Sequence, residues 1–149
     1  MTWVSQRGEL QDYARTFEPS SRLVATRWLR GRAITLGALQ LYPASWTADQ
    51  VRYRIPHECQ HTKQARQLGL LRFLLAYLFS GQQRARLEVE AEAAYWRTLT
   101  GADRASQIGD SARTLAAALA SWRYGWAVTR AEADRLCAEA VAETGRDDA

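Results

Sequence analysis

His57-Glu58-Cys59-Gln60-His61 places the only two histidines of a 149-residue chain four residues apart. On an α-helix the i and i+4 positions lie above one another on one face, so both imidazoles can point at a single ion at ~2.0–2.1 Å. Glu58 is turned ~100° from His57 by the helical repeat, which sets its carboxylate beside such an ion rather than on it. Ligands that leave an open coordination position, with a base near the nucleophile, are what zinc-assisted hydrolysis of an amide needs. The bare H-E-x-x-H pattern also arises on helices with two unrelated histidines, so a third ligand is the discriminating feature.

A third histidine does not exist in the chain. The arrangement with a histidine six residues after the motif is excluded, because Gln67 stands there and Gln64 occupies its usual glycine position. A carboxylate from a later helix is the remaining solution. Arg86-Leu87-Glu88-Val89-Glu90-Ala91-Glu92-Ala93-Ala94-Tyr95 offers three glutamates, 27, 29 and 31 residues after His61. Glu88 and Glu92 share one helix face, and Glu90 is turned ~200° from Glu88. The shared face suits Glu88 as metal ligand and Glu92 as acceptor for the non-ligating N–H of a histidine. The small residues Ala91 and Ala94 imply that this face packs closely, whereas Glu90 reads as solvated beside Arg84 and Arg86. Cys59 points away from the two histidines and reads as a small buried hydrophobe. With Cys137 it makes two cysteines and no C-x-x-C pair, which gives no disulfide framework.

Around the motif the hydrophobic period divides the chain. Glu9 to Phe17 forms a short helix. Leu23–Trp28, Ala33–Leu36 and Ala38–Tyr42 are rich in β-branched and aromatic residues, with a turn glycine in Leu29-Arg30-Gly31-Arg32, and read as a small antiparallel sheet. After Pro43 the period becomes helical. Thr47-Ala48-Asp49-Gln50 has the form of a capping box, which would put Pro56 two turns inside a helix; alternatively Val51–Ile55 is extended and Pro56 opens the helix. Helices follow to about Gln67, from Leu70 to Phe79, Gln82 to Leu99, Ala105 to Trp122, and Arg130 to Glu143 with Thr129 as N-cap, before an acidic Asp147-Asp148 tail. The layout is an α+β domain over residues 1–149, with the first 20 residues poorly defined, strands over 22–42 and helices over 47–145.

Composition narrows the function classes. Twenty basic against 16 acidic residues give a net charge of +4, and the arginines are scattered. With neither a basic stripe nor a tail, no nucleic-acid partner is expected. The six tryptophans read as core filling rather than base-stacking platforms. The apolar segment Leu70–Phe79 is too short to span a bilayer; it reads as the central buried helix of a small domain in preference to a membrane-docking one. No apolar leader precedes the domain, so a cytoplasmic location is expected. Tyr95, Tyr124 and Arg97 are the remaining donors for a developing oxyanion, with none preferred.

The block His57-Glu58-Cys59-Gln60-His61-Thr62-Lys63-Gln64, followed by Leu68-Gly69, Leu71-Arg72-Phe73-Leu74-Leu75 and Tyr77-Leu78, resembles small bacterial and phage zinc metallopeptidases of the gluzincin kind. In these an H-E-x-x-H-x-x-Q helix precedes a Leu-Arg-Phe-rich helix and an E-x-E-A segment, here Glu88-Val89-Glu90-Ala91. Read as E-x-x-A-[DE], the segment also looks like the third-ligand motif of integral-membrane prenyl-protein peptidases. The resemblance covers roughly residues 32–97. It implies a zincin-like fold, Zn2+ as cofactor, and His57, His61 and Glu88 as its ligands. It further implies Glu58 as the catalytic base and Glu92 as the acid supporting a ligand. The strand Ala33–Gly37 takes the place of an edge strand that pairs with a peptide substrate. The expected activity is peptide-bond hydrolysis by metal-activated water. The alternatives are a catalytically silent zinc-binding module, phage-encoded or virion-associated, and an Arg/Trp-rich nucleic-acid adaptor in which the motif is accidental.

Overall fold

The change of period at Pro43 is where strands give way to helices. The computed structural model describes residues 2–146, so the Asp147-Asp148 tail lies outside the described residues. They divide into two compact units between Leu71 and Arg72.

The first unit begins with a short 3-10 turn, Trp3–Gln6, and helix α1, Arg7–Phe17. Strands β1 (Arg22–Thr26), β2 (Ile34–Leu36) and β3 (Leu39–Pro43) follow, then helix α2, Ala48–Leu68. Strand β3 is central and β2 is an edge. Leu36 pairs with Leu39 across a two-residue turn, with Gly37 at φ 60°, a conformation that favours glycine. The β2–β3 pair is antiparallel as expected, but β1 runs parallel to β3, with Arg22 opposite Leu39 and Thr26 opposite Pro43. The sheet is therefore mixed. The chain reverses over residues 27–33 and again at Gly37, which returns β3 to the direction of β1.

Leu23 and Tyr42 from the sheet, Leu10 and Ala14 from α1, and Val51, Ile55 and Cys59 from α2 close a core over Trp3. The Trp3 indole N–H donates to the Pro43 carbonyl at 2.9 Å. One polar side chain is sunk in this core. Gln40, fully buried, has its amide nitrogen 2.9 Å from Ser21 Oγ, 3.3 Å from Cys59 Sγ and 3.2 Å from Thr62 Oγ1, and its oxygen accepts from the Tyr42 hydroxyl at 3.0 Å. A buried amide satisfied on both ends ties sheet to helix in one register. Burial pushes the Cys59 thiol up, consistent with its reading as a small core residue.

Helix α2 starts at the capping box. Thr47 Oγ1 accepts from the Gln50 N–H at 3.2 Å, and Gln50 Oε1 accepts from the Thr47 N–H at 2.8 Å. Pro56 therefore lies inside the helix, which settles the alternative of an extended Val51–Ile55. It cannot donate to the Arg52 carbonyl, so the ladder loses one bond just before His57.

The second unit contains α4 (Gly81–Trp96), α5 (Arg104–Leu119), a 3-10 turn Trp122–Tyr124 and α6 (Arg130–Arg146). Ala85, Val89, Ala93 and Trp96 of α4 pack with Ile108, Leu115 and Leu119 of α5 and with Ala133, Leu136 and Cys137 of α6. A Cβ on Gly81 would collide with the Ala127 backbone, which explains glycine there. Thr129 caps α6 by accepting from the Glu132 N–H at 3.2 Å.

Helix α3, Leu70–Phe79, overturns the expectation of a central buried helix. Phe73 is its one buried side chain, and Leu71, Leu78 and Phe79 are 71%, 61% and 81% exposed. Apolar composition does not distinguish a helix inside a core from one that displays an apolar face. The tryptophans divide similarly: Trp3 and Trp96 fill cores, whereas Trp28, Trp122 and Trp126 are exposed. Among the described residues no helix is long and apolar enough to cross a membrane.

Two outcomes follow from this packing. Thr47→Ala should lower unfolding free energy in urea by about 1 kcal/mol, the usual worth of an N-cap side chain. Cys137 is buried, and burial, with Asp134 and Glu92 nearby, pushes its thiol up to about 11. It should resist alkylation at mildly alkaline pH in the folded chain and react fully once guanidinium unfolds it; reaction at a free-thiol rate in the folded chain would contradict this burial.

Candidate metal centre

Helix α2 carries His57, Glu58 and His61, all buried. The two imidazoles meet edge to face, with 3.1 Å between their Nε2 atoms. His61 Nδ1 lies 2.9 Å from Gln64 Oε1. His57 Nε2 lies 3.1 Å from Arg54 Nη2, which can only donate, so this nitrogen accepts from the arginine. The two imidazoles and the guanidinium thus form one polar cluster along α2.

Glu58 is gripped from two sides. Arg54 Nε donates to Oε1 at 3.1 Å, and the Thr35 hydroxyl of β2 donates to Oε2 at 2.6 Å. Burial opposes ionisation of this carboxyl. The Arg54 guanidinium, both imidazoles and the Thr35 hydroxyl outweigh it and hold Glu58 below the usual carboxylate range.

In the second unit the three glutamates of α4 separate by face as the helical repeat requires. Glu88 and Glu92 are buried and Glu90 is exposed. Glu88 Oε1 accepts from the Tyr77 hydroxyl at 2.5 Å and Oε2 from the Tyr124 hydroxyl at 3.0 Å. Tyr124, a candidate oxyanion donor by sequence, is thus directed at Glu88. Glu92 Oε1 accepts from Ser111 at 2.7 Å, and Ser111 in turn accepts from the Trp96 indole at 2.9 Å. Tyr95 is buried and Arg97 exposed.

His57 and His61 are thus buried side chains of the first unit, and Glu88 is a buried side chain of the second.

Sequence reasoning missed Thr35, Arg54, Gln64 and Tyr77 as contributors. Gln64 had a signal, standing three residues after His61 where an i,i+3 contact reaches back along the helix. Thr35 and Tyr77 had none, since each reaches its carboxylate through tertiary folding.

Compared with protein-family models, curated proteins and solved structures, the chain matches none.

Arg54 is the test of how Glu58 is held. Its side chain is 28% exposed and that of Glu58 3%, so removing it leaves a nearly dry carboxylate short of its countercharge. Arg54→Met should cost about 3 kcal/mol in urea unfolding at neutral pH, while Glu58→Gln, which removes the charge, should cost less. Equal losses would show that the pair is not what stabilises this region.

Proposed function

We propose that residues 1–149 act as a zincin-like metallopeptidase domain of the gluzincin kind, hydrolysing peptide bonds. His57, His61 and Glu88 would hold Zn2+, Glu58 would serve as general base, and Glu92 would position a ligand. The observation that carries this reading is the meeting of the two buried imidazoles of α2, their Nε2 atoms 3.1 Å apart, with Gln64 against His61. Two neutral imidazoles and one carboxylate are a fitting donor set for zinc, and leave a coordination position open.

When bound, zinc polarises a carbonyl and makes water more acidic. The chain's own residues do the rest. Arg54 and Thr35 keep Glu58 ionised, so it can accept a proton from the attacking water and deliver it to the leaving amine. Thr35 belongs to edge strand β2, so a peptide adding to that edge beside Ala33–Gly37 would run past the hydroxyl that grips the base.

One observation favours a second reading, a catalytically silent zinc-binding module with a structural or protein-binding role. Both Glu58 oxygens already accept hydrogen bonds, and Arg54 also faces His57.

Elemental analysis and activity separate the two. The purified chain should bind one zinc, Glu88→Ala should lose most of it, and Glu58→Gln should keep it while cleavage of a mixed peptide library falls at least about a hundredfold. Zinc absent from the wild type, with content unchanged in Glu88→Ala, would overturn both readings. Zinc present without cleavage, or with cleavage that Glu58→Gln leaves unchanged, would leave the silent module standing.

A further inference from the structure

Between Glu58 and Glu88 the chain has no acidic residue but contains Lys63, Arg66, Arg72, Arg84 and Arg86. In the middle of this cationic stretch sits α3. Of its exposed apolar side chains, Leu71, Leu75, Leu78 and Phe79 follow the spacing i, i+4, i+7 and i+8 and form a stripe ~100° wide at ~100° per residue, with Leu70 exposed outside it at the first turn. Phe73, buried, lies on the opposite side. Arg72 is exposed and borders the stripe, with Lys63 and Arg86 exposed in the flanking helices. Arg66 is paired with Glu18 at 3.1 Å, and Arg84 donates to the Tyr77 carbonyl at 2.9 Å, so these two are less available.

We propose that α3 docks this protein on the surface of an anionic phospholipid bilayer, with Leu71, Leu75, Leu78 and Phe79 entering the headgroup boundary and Arg72 meeting lipid phosphates. The argument is charge complementarity joined to a continuous apolar stripe, the two components of interfacial helix binding. A second copy fits this face less well. A ten-residue helix is only ~15 Å long and ~10 Å across, so one face of it offers far less than the ~800 Å² per partner that a stable dimer usually buries, and Arg72 would meet its own kind. A bilayer needs no matching pocket. Nor is α3 a spanning segment.

The test is co-sedimentation of the full chain with vesicles of phosphatidylcholine alone or mixed with phosphatidylglycerol. The wild type should pellet with the anionic vesicles, much less with the neutral ones, and be released by high salt. Leu75→Ser/Phe79→Ser alters only exposed positions and should cut binding at least about tenfold, with far-ultraviolet circular dichroism unchanged. Arg72→Glu should also weaken binding, and only to the anionic vesicles. Failure of the wild type to bind anionic vesicles, or binding that these variants leave intact, would overturn the proposal. So would a wild-type dimer in sedimentation that the double variant converts to monomer without vesicles. None of these readouts depends on zinc or on peptide cleavage.

Discussion

Two imidazoles of one helix meet with their Nε2 atoms 3.1 Å apart beside the Arg54 guanidinium, and the polar groups of α2 are arranged around that contact. Gln64 Oε1 stands 2.9 Å from His61 Nδ1, and Arg54 donates to His57 Nε2. The same arginine is the countercharge of Glu58. One guanidinium thus faces both the His57 ring and the Glu58 carboxylate.

The supporting structure explains why α2 can carry so many buried polar groups. Its first turn is fixed by reciprocal Thr47 and Gln50 hydrogen bonds, and its middle is tied to β3 through Gln40, whose amide meets Cys59 and Thr62. Strand β2 adds the Thr35 hydroxyl at Glu58. The helix accommodates Pro56 because tertiary bonds of this kind, rather than an unbroken ladder, hold it in register. In the second unit Glu88 accepts hydrogen bonds from two tyrosine hydroxyls, one at each carboxyl oxygen.

What could be read from the chain was whatever depends on spacing within one element. The helical repeat separated buried Glu88 and Glu92 from exposed Glu90, and put both histidines on one face. The strands were legible from β-branched and aromatic runs around Gly31 and Gly37, and the capping box from Thr47 and Gln50. The parallel pairing of β1 with β3 was not, because direction depends on how residues 27–33 cross, which no local pattern encodes. The role of α3 was misread for a related reason: Leu70–Phe79 is apolar enough for a core, and only its neighbours decide that a single face, at Phe73, is buried. Thr35 and Tyr77 acquire their roles from partners on other elements, so their residue types alone carried no mark of the site, whereas Arg54 stands at i,i+3 from His57 and i,i+4 from Glu58 on the same helix.

The imidazole pair is open to direct observation by nitrogen NMR of the rings. In the folded chain, added zinc should move the Nε2 resonances of His57 and His61 together, and resonances that zinc leaves in place would contradict the account.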